Sequence, residues 1–161
     1  MEERQERRGD FDGDAAMNCT VDANVFVAAV RFEERHYTVS RGFLHRARAE
    51  AVTVFCPTLV LPECAAAIAR ATGDAALAEE LTMLIESFPD LRLVTLDLSL
   101  ARRAAQIATI HHLRGADAVY AAVAETFNAT LITWDAEMLQ RSPVVVPTLT
   151  PAEWVEQQRI R

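Results

Sequence analysis

Residues 17–26, MNCTVDANVF, decide how this chain is read. The run Cys19-Thr20-Val21 has the β-branched, apolar character of a buried strand, breaks off at Asp22 and resumes at Ala23, Val25 and Phe26. Leucine or valine at that position would continue the strand with no desolvation cost. A carboxylate there costs several kcal/mol unless it is paired or bound to a metal. Asp22 therefore needs a partner.

The chain has 161 residues, 51% of them hydrophobic, which suffices for one domain to bury a core without disulfides or a structural metal. Residues 1–16, MEERQERRGDFDGDAA, are charge-dense with a single aromatic and lack the apolar stretch of a signal peptide. They predict a disordered leader, followed by one domain over 17–161; a native start at Met17 is an equal alternative. No run approaches the roughly twenty apolar residues of a membrane span, so the expectation is a cytoplasmic protein without a membrane partner. Cys19, Cys56 and Cys64 are odd in number and show no C-x-x-C spacing, so core thiols are expected rather than a disulfide framework or a zinc site. The net charge of −7 argues against a broad basic surface for nucleic acid, while leaving room for local arginine patches. All 16 basic residues are arginine, which removes any mechanism that needs a catalytic lysine.

From Cys19 onward, short β-branched runs alternate with longer Ala- and Leu-rich segments, the pattern of an α/β domain around a parallel sheet. Strands are predicted at CTVDA (19–23), VTVFC (52–56), LRLVTL (91–96), ATLITW (129–134) and VVVP (144–147). Helices are expected after caps at Ser40, Asp74 and Ser99, near Pro62, at Gly115 or Ala116, and after Thr150, where Thr150-Pro151-Ala152-Glu153 spells a capping box.

Most acidic residues fit solvated helix faces, caps or turns. Four fit less well: Asp22 at the end of the first strand, Glu63 in the first turn of an apolar helix, Asp117 opening an Ala-rich helix, and Asp135 directly after ATLITW. Each has a plainer explanation, since acids near helix N-termini gain from the macrodipole, and Asp22 and Asp135 can cap the helices that follow them. All four nevertheless fall at element ends, and in a doubly wound sheet the strand ends at the chain reversal flank the ligand crevice. If they converge there, a cation is required, because two carboxylates about 5 Å apart repel by roughly 3 kcal/mol at an effective dielectric near 20. An oxygen-only set selects hard ions, Mg²⁺ or Mn²⁺. Such an ion can activate water for attack on a phosphodiester.

The motifs VDANVF, PTLVLPECAAAIAR and LRGADAVYAAVAETFNATLITWD occur in that order. From about Cys19 to Val155 the sequence resembles the PIN-domain ribonucleases, and within them the VapC-like toxins of bacterial toxin–antitoxin pairs. The resemblance implies a three-layer α/β/α fold with a central, mainly parallel five-stranded sheet. It implies a metal-dependent endoribonuclease with Asp22, Glu63 and Asp117 as core ligands of Mg²⁺ or Mn²⁺ and Asp135 assisting. Asn24 and Thr133 would orient ligands or water. It further implies an RNA substrate, a homodimer, and inhibition by a cognate antitoxin protein. Trp134 departs from the pattern, standing where the family more often has a polar or basic residue. Arg114, together with Arg31, Arg41 and Arg46, is a candidate phosphate contact, with ordinary solvated arginines as the alternative. His111 and His112 are explained by favourable placement at a helix C-terminus rather than by catalysis. The rival from another class is a PIN-like module without activity that binds RNA or protein; a phosphotransfer domain built on a first-strand aspartate would need the lysine this chain lacks.

Overall fold

The structure is a computed structural model and describes residues 17–160; the leader expected over 1–16 lies outside the described residues. Strand β1 (Asn18–Val21) leads to helices α1 (Ala23–Val30) and α2 (Tyr37–Ala49), then β2 (Thr53–Pro57), α3 (Val60–Thr72), α4 (Ala75–Glu86) and β3 (Leu91–Val94). Helices α5 (Leu98–His111) and α6 (Gly115–Thr126) follow, then β4 (Thr130–Ile132), α7 (Ala136–Arg141), β5 (Thr148–Leu149) and α8 (Pro151–Arg159). The strands form one sheet in the order β3-β2-β1-β4-β5, and every pairing is parallel. Parallel neighbours require a crossover, which the helices between the strands supply. The sheet is built outward from β1 in both directions, so the chain reverses between β1 and β4. That is the position at which open α/β sheets leave a crevice beyond their carboxyl ends.

Helices α1 to α4 and α8 pack against one another as one group, while α5 packs on α6, and α6 lies on β1, β2 and β4. The fold is the expected three-layer α/β/α arrangement. The sheet contributes Cys19, Val21, Val54, Cys56, Leu131 and Ile132 to the core, all buried. Every residue of α6 from Ala118 to Ala124 is buried as well. Its alanines let this helix approach the strands closely, and Tyr120 is its one bulky ring. Trp154 of α8 closes the opposite layer, edge-on to Phe43 of α2 at 5.1 Å.

Local start signals work where chemistry is strongest. Asp74 caps α4 through Leu77 N–H at 3.0 Å, and the predicted capping box at Thr150 and Glu153 is complete. Three expectations need correction. The VVVP run is not a strand: Ser142–Val144 forms a single 3-10 turn, Val145 and Val146 donate back to Ser142 O, and the fifth strand is displaced to Thr148–Leu149. Pro143 starts the turn and Pro147 has no N–H to give, so the ladder begins with the Pro147 carbonyl accepting from Leu131. Helix α5 is capped by Asp97, whose carboxylate accepts from Leu100 N–H at 2.8 Å, and not by Ser99. Ser40 lies inside α2, buried, and its hydroxyl serves a distant tryptophan. No helix among the described residues is long and apolar enough to cross a membrane.

Candidate active site

The register Val21↔Ile132 makes Asp22 and Thr133, each the first residue beyond its strand, neighbours at the chain reversal. Asp22 N–H still donates to Ile132 O at 3.0 Å, and its backbone is extended before α1 begins. It occupies the N-cap position of α1, yet its side chain makes no capping bond. The carboxylate instead accepts from Thr133 Oγ1 at 2.6 Å and from Asn24 Nδ2 at 2.7 Å, both on Oδ2. The plain capping explanation for Asp22 therefore fails.

Thr133 is the hub of this network. It is wholly buried, and its Oγ1 also accepts from Asn24 Nδ2 at 3.2 Å and from the backbone N–H of Asp135 at 2.9 Å. Asn24 Oδ1 in turn accepts from Trp134 N–H at 3.2 Å. The segment Thr133-Trp134-Asp135 is thus tied to the start of α1. Two thiols fix the same corner from beneath: Cys56 Sγ donates to Val21 O at 3.3 Å and Cys64 Sγ to Ala23 O at 3.7 Å, on either side of Asp22. All three cysteines are buried and free, as the sequence predicts. Burial pushes the Cys19 and Cys56 thiols up to about 12.

Glu63 stands in the first turn of α3, between the core residues Val60 and Cys64. Its Oε2 accepts from Tyr120 Oη at 2.6 Å. Asp117 stands in the first turn of α6, one turn before that tyrosine. Its Oδ2 is buried without a hydrogen-bond partner. Asp135 does cap α7, through Met138 N–H at 2.9 Å, while its other oxygen lies 3.9 Å from Arg114 Nη1. For Asp135 the capping explanation holds and leaves one oxygen over.

Asp22, Asn24, Glu63, Asp117 and Asp135 line one cleft of about 570 Å³. Its electrostatics are strained. Burial, reinforced by Asp117 and Glu63, pushes Asp22 from an ordinary 3.8 up to about 7, against the opposing pull of Thr133 and Asn24. Burial also pushes Asp117 up to about 6, with Asp135, Glu63 and Glu137 adding repulsion and Arg114 opposing them. Among the described residues, no three acidic, His or Cys side chains already stand as a closed metal-binding group. The donor set is nonetheless one of oxygens only, with one oxygen orphaned in the interior, and that fits a hard divalent ion such as Mg²⁺ or Mn²⁺ better than a thiolate- or imidazole-seeking one such as zinc or copper.

The other candidates separate. Arg114 is mostly exposed and sits 3.6 Å from Glu137 as well as beside Asp135. Arg31 is paired with Glu34, Arg46 with Glu50, and Arg41 lies over the ring of Tyr37. His111 ends α5 and His112 caps it in the left-handed region, its carbonyl taken by Arg141. Sequence reasoning missed Tyr120, although its i+3 spacing from Asp117 places both on one helix face. It also missed the ring of His36, which stacks on Trp134.

The PIN domain family model matches residues 19–143. The chain belongs to the PIN-domain family. Solved PIN-like chains share its fold at low identity. One, from the crystal structure of VapBC2 of Rickettsia felis bound to a DNA fragment from its promoter, is 15% identical with a TM-score of 0.65, covering 83% of this chain and 98% of that one. A chain of FitAcB from Neisseria gonorrhoeae is 21% identical with a TM-score of 0.63, covering 84% and 99%. Mycobacterium tuberculosis VapC20, described as a sarcin-ricin loop cleaving toxin, is 17% identical with a TM-score of 0.63, covering 76% and 93%. No protein with a curated description matches significantly. The four acids of this PIN domain come from the start of α1, α3, α6 and the start of α7, four separate stretches that line one cleft beyond the carboxyl ends of the strands.

Proposed function

We propose that this PIN domain is a Mg²⁺- or Mn²⁺-dependent endoribonuclease, the toxin of a toxin–antitoxin pair acting in the cytoplasm. The observation that carries the reading is the buried, unpartnered Oδ2 of Asp117 in a cleft shared with the carboxylates of Asp22, Glu63 and Asp135 among others. A buried acceptor without a donor costs about 1–3 kcal/mol, so its retention points to a group that supplies positive charge. Asp22, Glu63 and Asp117 would hold the ion, with Asp135 assisting through the oxygen not used for capping. A divalent ion held by these carboxylates would lower the pKa of a bound water and offset charge developing on a phosphodiester.

The protein's own groups do the positioning. Thr133 and Asn24 hold Asp22 by one oxygen, and Tyr120 holds Glu63 in the same way. Arg114, exposed beside Asp135, is the candidate contact to an RNA phosphate. Support for the toxin reading comes from family membership and from likeness in fold to chains of VapBC and FitAB assemblies. A homodimer and a cognate antitoxin belong to the same proposal.

The test is RNA cleavage by purified protein with Mg²⁺ or Mn²⁺, with EDTA, and with Asp22→Asn and Asp117→Asn. Cleavage that needs the ion and vanishes in either variant, both still folded, supports the nuclease. Equal cleavage by the unaltered protein and the double variant overturns it. Folded, RNA-binding protein that never cleaves leaves a binding module.

A further inference from the structure

We infer that the stacked rings of His36 and Trp134 are a platform for one unpaired base of the strand bound in the acidic cleft. The inference rests on the nuclease reading and adds how the strand is held. The two ring centroids are 3.8 Å apart and the planes differ by 9°. Both residues line the cleft that contains Asp22, Asp117 and Asp135, and both are half-buried. A stacked pair uses one face of each ring, so the pair keeps aromatic surface along the cleft wall.

The indole is fixed before any ligand arrives. Its Nε1–H donates to Ser40 Oγ at 2.9 Å, and the backbone N–H of Trp134 donates to Asn24 Oδ1 at 3.2 Å. With its N–H already used, the ring can offer the cleft only its π surface. Other aromatic pairs are spent elsewhere: Phe43 and Trp154 are buried in the core, and Phe55 stacks on Phe127 away from the acids. The cleft also needs an uncharged source of affinity. Asp22, Glu34, Glu63, Asp117 and Asp135 line it against Arg70, so the side chains alone repel a polyanion, and a contact that ignores charge adds to whatever the ion and Arg114 supply. Base stacking is such a contact, and every base has a face to stack.

The test compares two probes on the Asp117→Asn protein, which keeps the strand uncut: fluorescein-labelled oligoadenylate, and an abasic ribose-phosphate oligomer of the same length. The platform predicts about tenfold or greater preference for the base-bearing strand, with quenching of tryptophan emission. Trp134→Ala or His36→Ala should bring that preference toward unity, and Trp134→Phe should keep most of it. Equal binding of both probes without an emission change overturns the platform and leaves the nuclease reading standing. A preference undiminished in both alanine variants overturns the assignment to these rings. Failure of both probes to bind both the unaltered and the Asp117→Asn protein overturns both readings. If Trp134→Ala does not fold, the two probes on the other proteins still decide.

Discussion

Thr133 donates its hydroxyl to Asp22 Oδ2 at 2.6 Å, joining two residues 111 positions apart at the meeting of β1 and β4. The same oxygen of Thr133 accepts from Asn24 and from the backbone of Asp135. Thr133→Val keeps the shape and removes all three interactions. The expected cost is about 1–3 kcal/mol in urea denaturation, because buried partners are left unpaired. The loss should be accompanied by a further rise in the Asp22 pKa, since Thr133 holds it down, so the acid limb of the RNA-cleavage profile should move to higher pH. A variant as stable as the parent would show that the hub is incidental.

The raised acids set the pH dependence of the metal-free protein. Asp22 rises from 3.8 to about 7 and Asp117 to about 6 on folding. The folded state therefore holds protons that the unfolded chain has released, and stability falls as pH increases from about 4 through about 7. In EDTA, Tm should be higher at pH 5 than at pH 7.5. Added Mn²⁺ should raise Tm more at pH 7.5 than at pH 5, because protons compete for the same oxygens. A Tm in EDTA that rises across this range would contradict the burial of these carboxylates.

Asp135 has two duties that one substitution separates. Asparagine caps helices about as well as aspartate, so Asp135→Asn should preserve α7 and change stability by no more than about 0.5 kcal/mol. RNA cleavage should nevertheless fall at least tenfold if the oxygen facing Arg114 assists the ion. Full activity in a stable Asp135→Asn protein would reduce Asp135 to a cap.

Tyr120 supports Glu63 from a buried position in α6, and burial together with Glu63 raises its pKa, which keeps the phenol protonated and donating. Removing the hydroxyl in Tyr120→Phe leaves the ring's packing in place. Loss of such a supporting bond typically costs about 10–100-fold in metal affinity or activity. Titration calorimetry with Mn²⁺ and the cleavage rate should both register it, and unchanged Mn²⁺ affinity would argue that Glu63 is not a ligand.

What the sequence reveals and what it hides follow from the range of the interactions. The parallel sheet is legible because each β-branched run is followed by a helical one. Asp22 is legible because a carboxylate interrupts an apolar strand, and the structure gives it partners rather than a capping role. Choices between near neighbours are harder: LDLSL contains two good capping residues two positions apart, and Asp97 prevails, leaving Ser99 inside α5. The run VVV has strand propensity, yet the prolines on either side of it direct a turn. Contacts such as Trp134 with His36 and Ser40, or Tyr120 with Glu63, join distant segments. No local pattern announces them, and they complete the cleft.

The sulfur atoms beneath Asp22 carry a practical consequence. Cys56 and Cys64 are tied to the carbonyls on either side of that residue, and burial keeps Cys56 in its thiol form far above neutral pH. Alkylating reagents attack thiolates, so the native protein should resist iodoacetamide until its centre opens. Labelling of Cys56 then becomes a clock for whole-molecule opening, read by mass spectrometry on the unaltered chain with no engineered probe.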